Sequence, residues 1–294
     1  MTKIFPALLL TAVLFTLPGE AYADGTAPVA QNLELCTYKN VTVSGRLSAF
    51  DSENDVVMYE ITTPPVKGSV ELCDDGSFIY TPNKDKKGRD YFGYKALDAE
   101  GNRSQEATVI IKIEKQKKQV SYADMDGLAG EYYAAALSEA GIFTGENICG
   151  RYCFYPERPV TRGEFVSMCI RASGEPIVCN VMSTGLSDDG SIPDWMKSYV
   201  LASVMCGQEY ENEVFDAEEG IGRTEALLLL NNALGINDVS YLLPETALSS
   251  EASQACANLR AVGLICEGEL KEETLTRLEA AELIVKALEL VKNR

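Results

Sequence analysis

Residues 161–170 read TRGEFVSMCI, and their opening tetrapeptide returns twice further along the chain. The second copy is GRTE at residues 222–225 and the third is TRLE at residues 276–279, and each precedes a helical, largely apolar stretch. The arginines of the three copies lie 61 and 54 residues apart. Recurrence at such a period is typical of a repeat architecture, in which the units must pack on one another because each buries too little surface alone.

Apolar residues at helical spacing also precede each copy, over three segments: residues 128–140, 195–205 and 253–262. Gly141 and Gly263 follow the first and third segments, where a glycine commonly ends a helix. We therefore expect an all-α half built of three helix–loop–helix repeats, at about residues 121–174, 183–235 and 240–291.

The Thr-x-x-Glu spacing of the motif is that of a capping box, in which each side chain bonds the backbone amide of the other residue. Thr161 with Glu164 and Thr276 with Glu279 fit this pattern, while Gly222 replaces the threonine of the second copy. Capping explains the threonines and glutamates.

Capping does not explain the arginine that each copy carries: Arg162, Arg223 and Arg277. A cation at a helix N-terminus is disfavoured by about 0.3–1 kcal/mol. Each arginine either pairs with a buried carboxylate of a neighbouring repeat or faces an anionic ligand, since a guanidinium beside free helix amides suits a carboxylate. The two arrangements are compatible, and both remain open.

Residues 24–114 are typical of β structure. Short runs rich in Val, Ile, Tyr and Thr alternate with turn clusters, the runs being residues 41–43, 56–61, 78–80 and 107–111. This pattern predicts an antiparallel sandwich. Residues 115–120, KQKKQV, have no apolar period, so we interpret them as a linker to the helical half at residues 121–294.

The N-terminus carries the features of a secretory signal peptide. Lys3 precedes an apolar stretch over residues 4–17, and Ala-Tyr-Ala at 21–23 has small residues at the positions of a cleavage site. The stretch is shorter than the roughly 20 residues that cross a bilayer. We expect residues 1–23 to be removed, leaving a secreted protein with no transmembrane segment.

Composition argues against two function classes. The formal net charge is −18, and residues 121–294 carry 28 acidic and 12 basic side chains, which makes nucleic acid a poor partner. The chain contains no histidine, the commonest general base and zinc ligand. Phosphate-binding glycine loops and nucleophile elbows are also missing from the sequence. We expect a protein that is not an enzyme and needs no cofactor, calcium excepted.

Three motifs in the β half point to a known family: GRLSAFD at residues 45–51, DGSFIYTPN at 75–83, and Gly-x-Asp-x-Phe-x-Tyr at 88–94. Residues 24–114 resemble the bacterial cadherin-like, Ig-like domains of surface adhesins. The resemblance implies a spacer or adhesion unit at the cell surface.

The helical half resembles the S-layer homology repeat. The first repeat carries the closest match, with Asp124, Gly141-Ile142, Phe154-x-Pro156 and the motif at 161–164. The third repeat lacks an aspartate opening and the Phe-x-Pro element. The resemblance implies a pseudo-threefold assembly of the repeats, whose grooves bind cell-wall polysaccharide, often pyruvylated.

The candidate polysaccharide-binding residues are those of the three motifs and one aromatic: Arg162, Arg223, Arg277, Thr161, Glu164, Glu225, Thr276, Glu279 and Trp195. Trp195 is either a core residue, which we favour, or a surface on which a sugar ring stacks. Because the first and third motifs are intact, we expect Arg162 and Arg277 to contribute more to binding than Arg223.

Two further sites follow from residue types. Carboxylates at Asp51, Glu53 and Asp55, with Asp98, offer oxygen ligands for calcium, although we favour a solvated acidic turn. The chain has nine cysteines; Cys36 and Cys73 are the pair in the β half and the candidates for a disulfide. Seven others lie in the helical half, so at least one stays free or pairs between molecules.

We therefore expect a non-catalytic protein of the bacterial cell surface. In the first hypothesis, the helical repeats hold it non-covalently to a wall polysaccharide and the β domain projects outward. In the alternative, the repeats are degenerate and mediate protein contacts, while the β domain recognises an extracellular carbohydrate or protein, with calcium as a possible cofactor.

Overall fold

A computed structural model describes residues 25–53, 58–118, 120–240, 248–265 and 273–292. Within them, a β-sheet domain is followed by a helical region, which confirms the expected order of β and α domains. The predicted signal peptide lies outside the described residues. In the parts of the chain that the structure describes, no helix is both long enough and apolar enough to span a bilayer.

The β domain consists of the following strands: β1 (Val29–Ala30), β2 (Leu33–Tyr38), β3 (Val43–Arg46), β4 (Ala49–Phe50), β5 (Met58–Thr63), β6 (Gly68–Leu72), β7 (Ser77–Pro82), β8 (Gly88–Leu97) and β9 (Ala107–Glu114). One sheet has the order β2-β9-β8-β5 and the other the order β3-β7-β6, while β1 pairs with β4. The rings of Phe78 and Phe92 meet edge to face at 5.2 Å between the two sheets. A shared apolar core therefore joins the sheets.

One pairing differs from the predicted antiparallel sandwich, because β2 runs parallel to β9. Leu33 lies opposite Val109 and Leu35 opposite Ile111. Strands this far apart in sequence are not joined by a hairpin, so no turn forces them to be antiparallel. The alternation of β2 still directs Leu33 and Leu35 towards the same side as the buried Val109 and Ile111.

The Cys36–Cys73 disulfide stays a prediction, and the two thiols are not bonded to each other in the structure. Cys36 lies opposite Lys112 on the outer face of the sheet, because it alternates with the inward residues of β2. Cys73 is exposed in the turn that follows β6 of the other sheet, where its amide bonds the carbonyl of Ser77. A bridge would have to pass through the core between the sheets.

The helical region contains six α-helices in the described ranges: α1 (Glu131–Ala140), α2 (Arg162–Ser173), α3 (Asp194–Met205), α4 (Arg223–Leu234), α5 (Ser250–Ala261) and α6 (Arg277–Lys292). Gly141 ends α1 in the left-handed conformation, as predicted, with φ at 74°. The loop of the first repeat also forms a short hairpin, β10 (Glu146–Ile148) with β11 (Arg151–Cys153), which the sequence did not indicate.

The segments just before α2, α4 and α6 meet in a closed ring of backbone hydrogen bonds. The amide of Val160 donates to the carbonyl of Leu275 at 2.9 Å, that of Leu275 to Ile221 at 3.0 Å, and that of Ile221 to Val160 at 3.0 Å. All three side chains are buried. The same contact made three times relates the three helix pairs by an approximate threefold arrangement.

The β domain and the helical region also pack against each other. The amide of Thr42 and its hydroxyl donate to the Glu131 carboxylate at 3.2 and 3.3 Å, and the rings of Tyr38 and Tyr132 lie 5.7 Å apart. The predicted linker is part of this contact, because the backbone amides of Lys117 and Lys118 donate to Glu139. The connection is therefore bound to α1.

Candidate functional site

The capping boxes at the starts of α2 and α6 are present. The Thr161 hydroxyl accepts from the amide of Glu164 at 3.2 Å, and the Glu164 carboxylate accepts from the amide of Thr161 at 3.3 Å. Thr276 and Glu279 repeat the arrangement at 3.3 and 2.8 Å. The N-cap residue of α4 is Gly222, which has no side chain that could cap the helix.

Arg162 crosses from the first repeat to the second. Its guanidinium binds both oxygens of Glu225, at 2.5 and 3.1 Å, and lies 2.8 Å from Glu219. It also donates to the carbonyl of Phe215 at 2.7 Å. Burial opposes its charge, but the two carboxylates outweigh that effect and raise the pKa of Arg162 above its ordinary value.

Arg223 crosses from the second repeat to the third. Its guanidinium lies 3.7 Å from Glu279, and the exposed fraction of its side chain is 14%. It lines an open cavity of about 200 Å³ together with Glu279, Glu282 and Lys286. Two cations, Arg223 and Lys286, thus lie at one groove between repeats.

Arg277 crosses from the third repeat back to the first. It donates to the carbonyl of Phe154 at 2.7 Å and lies 3.8 Å from Glu164. Its guanidinium carbon is 4.9 Å from the centre of the Phe143 ring, and its side chain is only 3% exposed. Burial lowers its pKa despite the attraction of Glu164 and Glu146. The hairpin residue Glu146, 3.7 Å away, helps to cover it.

The three arginines therefore close a cycle in which each one reaches the motif glutamate of the next repeat. Of the two arrangements left open by the sequence, the structure has the pairing between repeats. Two of the motif glutamates both cap their helix and face an arginine. Glu164 and Glu279 accept from the backbone amide of the capping threonine through Oε2 and face the arginine through Oε1. Glu225 gives both oxygens to Arg162.

The aspartates that open the first two repeats position the carbonyls that these arginines bind. Asp124 accepts from the amides of Phe154 and Tyr155, at 2.9 and 2.7 Å. Asp188 accepts from the amides of Phe215 and of the next residue at 2.9 and 2.8 Å. Each aspartate holds its loop so that the carbonyl of the phenylalanine faces a guanidinium.

The core interpretation of Trp195 is wrong. Its side chain is 60% exposed in the first turn of α3, beside the buried Met196. The helix turns Met196 inward, where it packs against Gly163 at the start of α2, and this turns Trp195 to solvent. The sugar-stacking interpretation is the one that remains, on the surface next to the Arg162 end of α2.

The calcium prediction is not decided by the structure. Asp55 lies outside the described residues, and no cluster of three or more carboxylate or cysteine side chains suited to a metal occurs within them. Asp51 accepts from the amide of Glu53 at 2.8 Å, and Asp98 accepts from the amide and the side chain of Asn102 at 2.7 and 2.8 Å. Asp51 and Asp98 therefore help to hold turns.

Several motif residues of the β domain form its internal contacts. Asp90 is 2% exposed and accepts from the Tyr80 hydroxyl at 2.7 Å and from the amide of Lys67 at 2.8 Å. Burial opposes its ionisation, but these hydrogen bonds lower the pKa of Asp90 overall. At Gly68 a Cβ atom would come within 2.5 Å of the Tyr80 ring, so the close strand packing requires glycine there.

These contacts lie within the part of the chain that matches a known protein family. Residues 25–115 match the bacterial cadherin-like domain. The match ends where the helical region begins, so the S-layer homology resemblance of the repeats stays a prediction. A comparison with curated protein sequences finds no match.

Among solved structures, similarities of low score cover about a third of the chain. An endo-fucoidan hydrolase of glycoside hydrolase family 107 has a TM-score of 0.26 and 18% identity over 32% of this chain. The SrpA adhesin of Streptococcus sanguinis has a TM-score of 0.27 and 17% identity, over 35% of this chain and 64% of its own. A SusE-like surface polysaccharide-binding protein from Bacteroides thetaiotaomicron has a TM-score of 0.23 and 18% identity, over 30% of this chain and 14% of its own.

This chain spans only 14% of the length of the fucoidan hydrolase. At such TM-scores these similarities say nothing about the ligand of the cadherin-like domain.

Sequence reasoning missed some of the residues at the site. Glu219, Glu146 and Lys286 lie near Arg162, Arg277 and Arg223, respectively, but belong to no motif. The spacing of Glu282 and Lys286, four residues apart on α6, could have indicated an ion pair on one helix face, and the two lie 2.8 Å apart.

Proposed function

We propose that this is a non-catalytic protein of the bacterial cell surface, anchored through its helical repeats to an anionic wall polysaccharide. In this proposal the cadherin-like domain is presented outward as a spacer or adhesion unit. The proposal extends to the whole chain what the S-layer homology resemblance implies for the repeats.

The observation that supports it most is the groove between repeats two and three. Arg223 and Lys286 place two cations beside a cavity of about 200 Å³, at the N-terminal end of α4. Glu279 and Glu282 line the same cavity, at 3.7 Å from Arg223 and 2.8 Å from Lys286. A carboxylate on a sugar that enters the cavity would exchange with these glutamates for the two cations.

The net charge favours a discrete site of this kind. A protein with a formal charge of −18 repels an anionic polymer at long range, but that repulsion is screened beyond about 8 Å at physiological salt. Attraction must then come from cations partly shielded from water. Arg223 meets this requirement, whereas Arg277 is covered by Phe143 and the hairpin. The geometry thus favours Arg223 over Arg277, the reverse of the order expected from the motifs.

Trp195 supports a second contact surface. An indole that is 60% exposed offers a flat apolar face with a polar edge, and such side chains suit ligands that are partly apolar and partly hydroxylated. The next residue, Met196, packs against Gly163 at the start of α2.

A co-sedimentation experiment tests the proposal. The chain without residues 1–23 is mixed with purified sacculi, before and after the secondary polysaccharide has been stripped from them. We expect saturable binding to native sacculi and a loss of most binding after stripping. Equal binding to both preparations would contradict anchoring through the polysaccharide.

The burial of Arg277 favours a second candidate function. If all three arginines serve to close the repeats on one another, the helical region is a structural unit that makes protein contacts, and recognition falls to the cadherin-like domain. In that case the stripped and native sacculi are bound equally or not at all.

A further inference from the structure

A cleft at the other end of α4 carries an unusual set of side chains. It lies between the end of α3, the last turns of α4 and the first half of α5, with a volume of about 370 Å³. We call it the amide cleft, and its polar lining includes Gln208, Asn231, Asn232, Gln254, Asp238 and Glu251. Asn231 is eight residues beyond Arg223 on α4, a distance of roughly 12 Å along the helix.

Asn258 forms the base of this cleft. Its side chain is fully buried and donates to Asn231 Oδ1 at 3.0 Å and to Asp238 Oδ1 at 3.1 Å. Its own oxygen accepts from Gln254 Nε2 at 2.9 Å and from the amide of Val239 at 3.0 Å. Two donors and two acceptors complete the bonding capacity of a carboxamide. Asn258 therefore fixes the orientation of Asn231 and Gln254 from below.

Asn232 is bonded more weakly than Asn258, whereas Gln208 is 9% exposed and also donates to the carbonyl of Glu209 at 3.0 Å. Asn232 Nδ2 donates to Gln208 Oε1 at 3.3 Å, and Asn231 Nδ2 donates to Asn232 Oδ1 at 3.4 Å. Both distances exceed the usual 2.7–3.2 Å of an N–H···O bond. Groups that bond each other at such distances exchange these contacts for those of a ligand at little cost.

Helix formation does not account for the asparagine pair. Asparagine is a poorer helix former than alanine, and here two of them follow four leucines in α4. The end of the helix is made instead by Gly235 in the left-handed conformation, three residues after Asn232. An apolar pair at these positions would have closed the cleft against α5.

The lining also selects the class of ligand. Among the lining residues that the structure describes are Glu209, Asp238 and Glu251 but no lysine or arginine, so an anion is disfavoured. Carboxamides both donate and accept, as sugar hydroxyls do. Leu228 and Ala255 add a small apolar area to the wall. A cleft of this volume is within the range of small-molecule sites.

We propose that the amide cleft binds a neutral pyranose carrying an acetamido group. The carboxamides pair with the ring hydroxyls and with the amide of the acetamido group, and the methyl group lies against Leu228 and Ala255. The site is separate from the Arg223 groove, and this inference does not rest on the proposed anchoring function.

The test uses chitotriose, the trimer of N-acetylglucosamine, titrated into the chain without residues 1–23 and followed by calorimetry and by the side-chain amide signals in NMR spectra. We expect saturable binding with shifts of asparagine and glutamine side chains. Asn232→Ala and Gln208→Ala leave every hydrogen bond of the buried Asn258 in place, so the fold should persist. Each should weaken binding about tenfold, the effect of losing a well-formed hydrogen bond to a ligand.

Two controls separate this site from the anchoring groove. Arg223→Ala should leave chitotriose binding unchanged, whatever it does to wall binding. Trigalacturonate, of similar size but anionic, should not displace chitotriose. The proposal is overturned if chitotriose does not bind at millimolar concentration, if both cleft variants bind it as the wild type does, or if trigalacturonate competes equally well.

Discussion

The guanidinium of Arg162 binds both carboxylate oxygens of Glu225, so the first repeat is fastened to the second by a two-pronged contact, at 2.5 and 3.1 Å. At the other two junctions the arginine lies farther from the motif glutamate, at 3.7 Å for Arg223 and Glu279 and at 3.8 Å for Arg277 and Glu164. The carboxylates also differ in what else they bond. Glu164 and Glu279 each give one oxygen to the backbone amide of the capping threonine, whereas both oxygens of Glu225 bind Arg162.

The first prediction concerns the stability of this junction. Arg162→Ala leaves Glu225 and the carbonyl of Phe215 without their donor, and should lower the free energy of unfolding by about 2–4 kcal/mol, since removing one partner of a mostly buried pair leaves the other uncompensated. Arg162→Lys should restore little, because an ammonium cannot make the two-pronged contact. Urea denaturation measures both. The exposed Arg151 provides the control, and Arg151→Ala should change the free energy by less than about 0.5 kcal/mol.

A second prediction tests the competition between capping and pairing. Gly222 has φ at −75° and ψ at 155°, and an added Cβ atom would meet no atom within 4 Å, so threonine fits there. Gly222→Thr completes a capping box that draws on Glu225, at the expense of Arg162. In the wild-type background the gain should be only a few tenths of a kcal/mol.

The same substitution in the Arg162→Ala background should stabilise more, because Glu225 is then available to the cap. A double-mutant cycle on unfolding free energies should give a coupling on the order of 0.5–1 kcal/mol. Strict additivity would show that Glu225 does not divide its bonds between the two partners.

A third prediction concerns pH and the contact between the domains. Burial beside Thr42 raises the pKa of Glu131, although the hydrogen bonds from Thr42 oppose the shift. The folded state then holds the proton more tightly than the unfolded state, so this carboxyl destabilises the fold increasingly as the pH rises from about 4.5 through its folded pKa.

Glu131→Gln keeps an acceptor for Thr42 and cannot ionise. The variant should therefore melt above the wild type at pH 7, and the difference should shrink towards pH 4. Melting curves between pH 4 and 8 measure it, with the exposed Glu157→Gln as control. A difference that grows as the pH falls would mean that the ionised carboxylate stabilises the contact.

The sequence predicted local features better than distant ones. The capping boxes of α2 and α6 and the glycine that ends α1 were predicted correctly, because these bonds join residues within one or two turns of each other. The parallel pairing of β2 with β9 was missed, because its register joins Leu33 to Val109 and leaves no mark on either segment.

The arginine cycle could be anticipated only in outline. The sequence predicts a carboxylate from a neighbouring repeat as one of two partners of each arginine. It does not indicate that this carboxylate is the motif glutamate, which it offers for capping and for binding polysaccharide. A carboxylate has two oxygens, and Glu164 and Glu279 each use one to cap their helix and the other to face an arginine. Trp195 was placed in the core because its apolarity suggested burial, while the helix face that decides its exposure depends on the contact of Met196 with Gly163.

The most direct test of the anchoring proposal is the binding isotherm of Arg223→Ala on native sacculi, measured beside its melting temperature. Because Arg223 lines the open groove, we predict an approximately tenfold or greater loss of affinity, as for a lost charge-assisted contact, in a variant whose melting curve shows that it is folded at the assay temperature. Arg151→Ala should bind as the wild type does. An affinity of Arg223→Ala equal to that of the wild type would contradict anchoring through this groove.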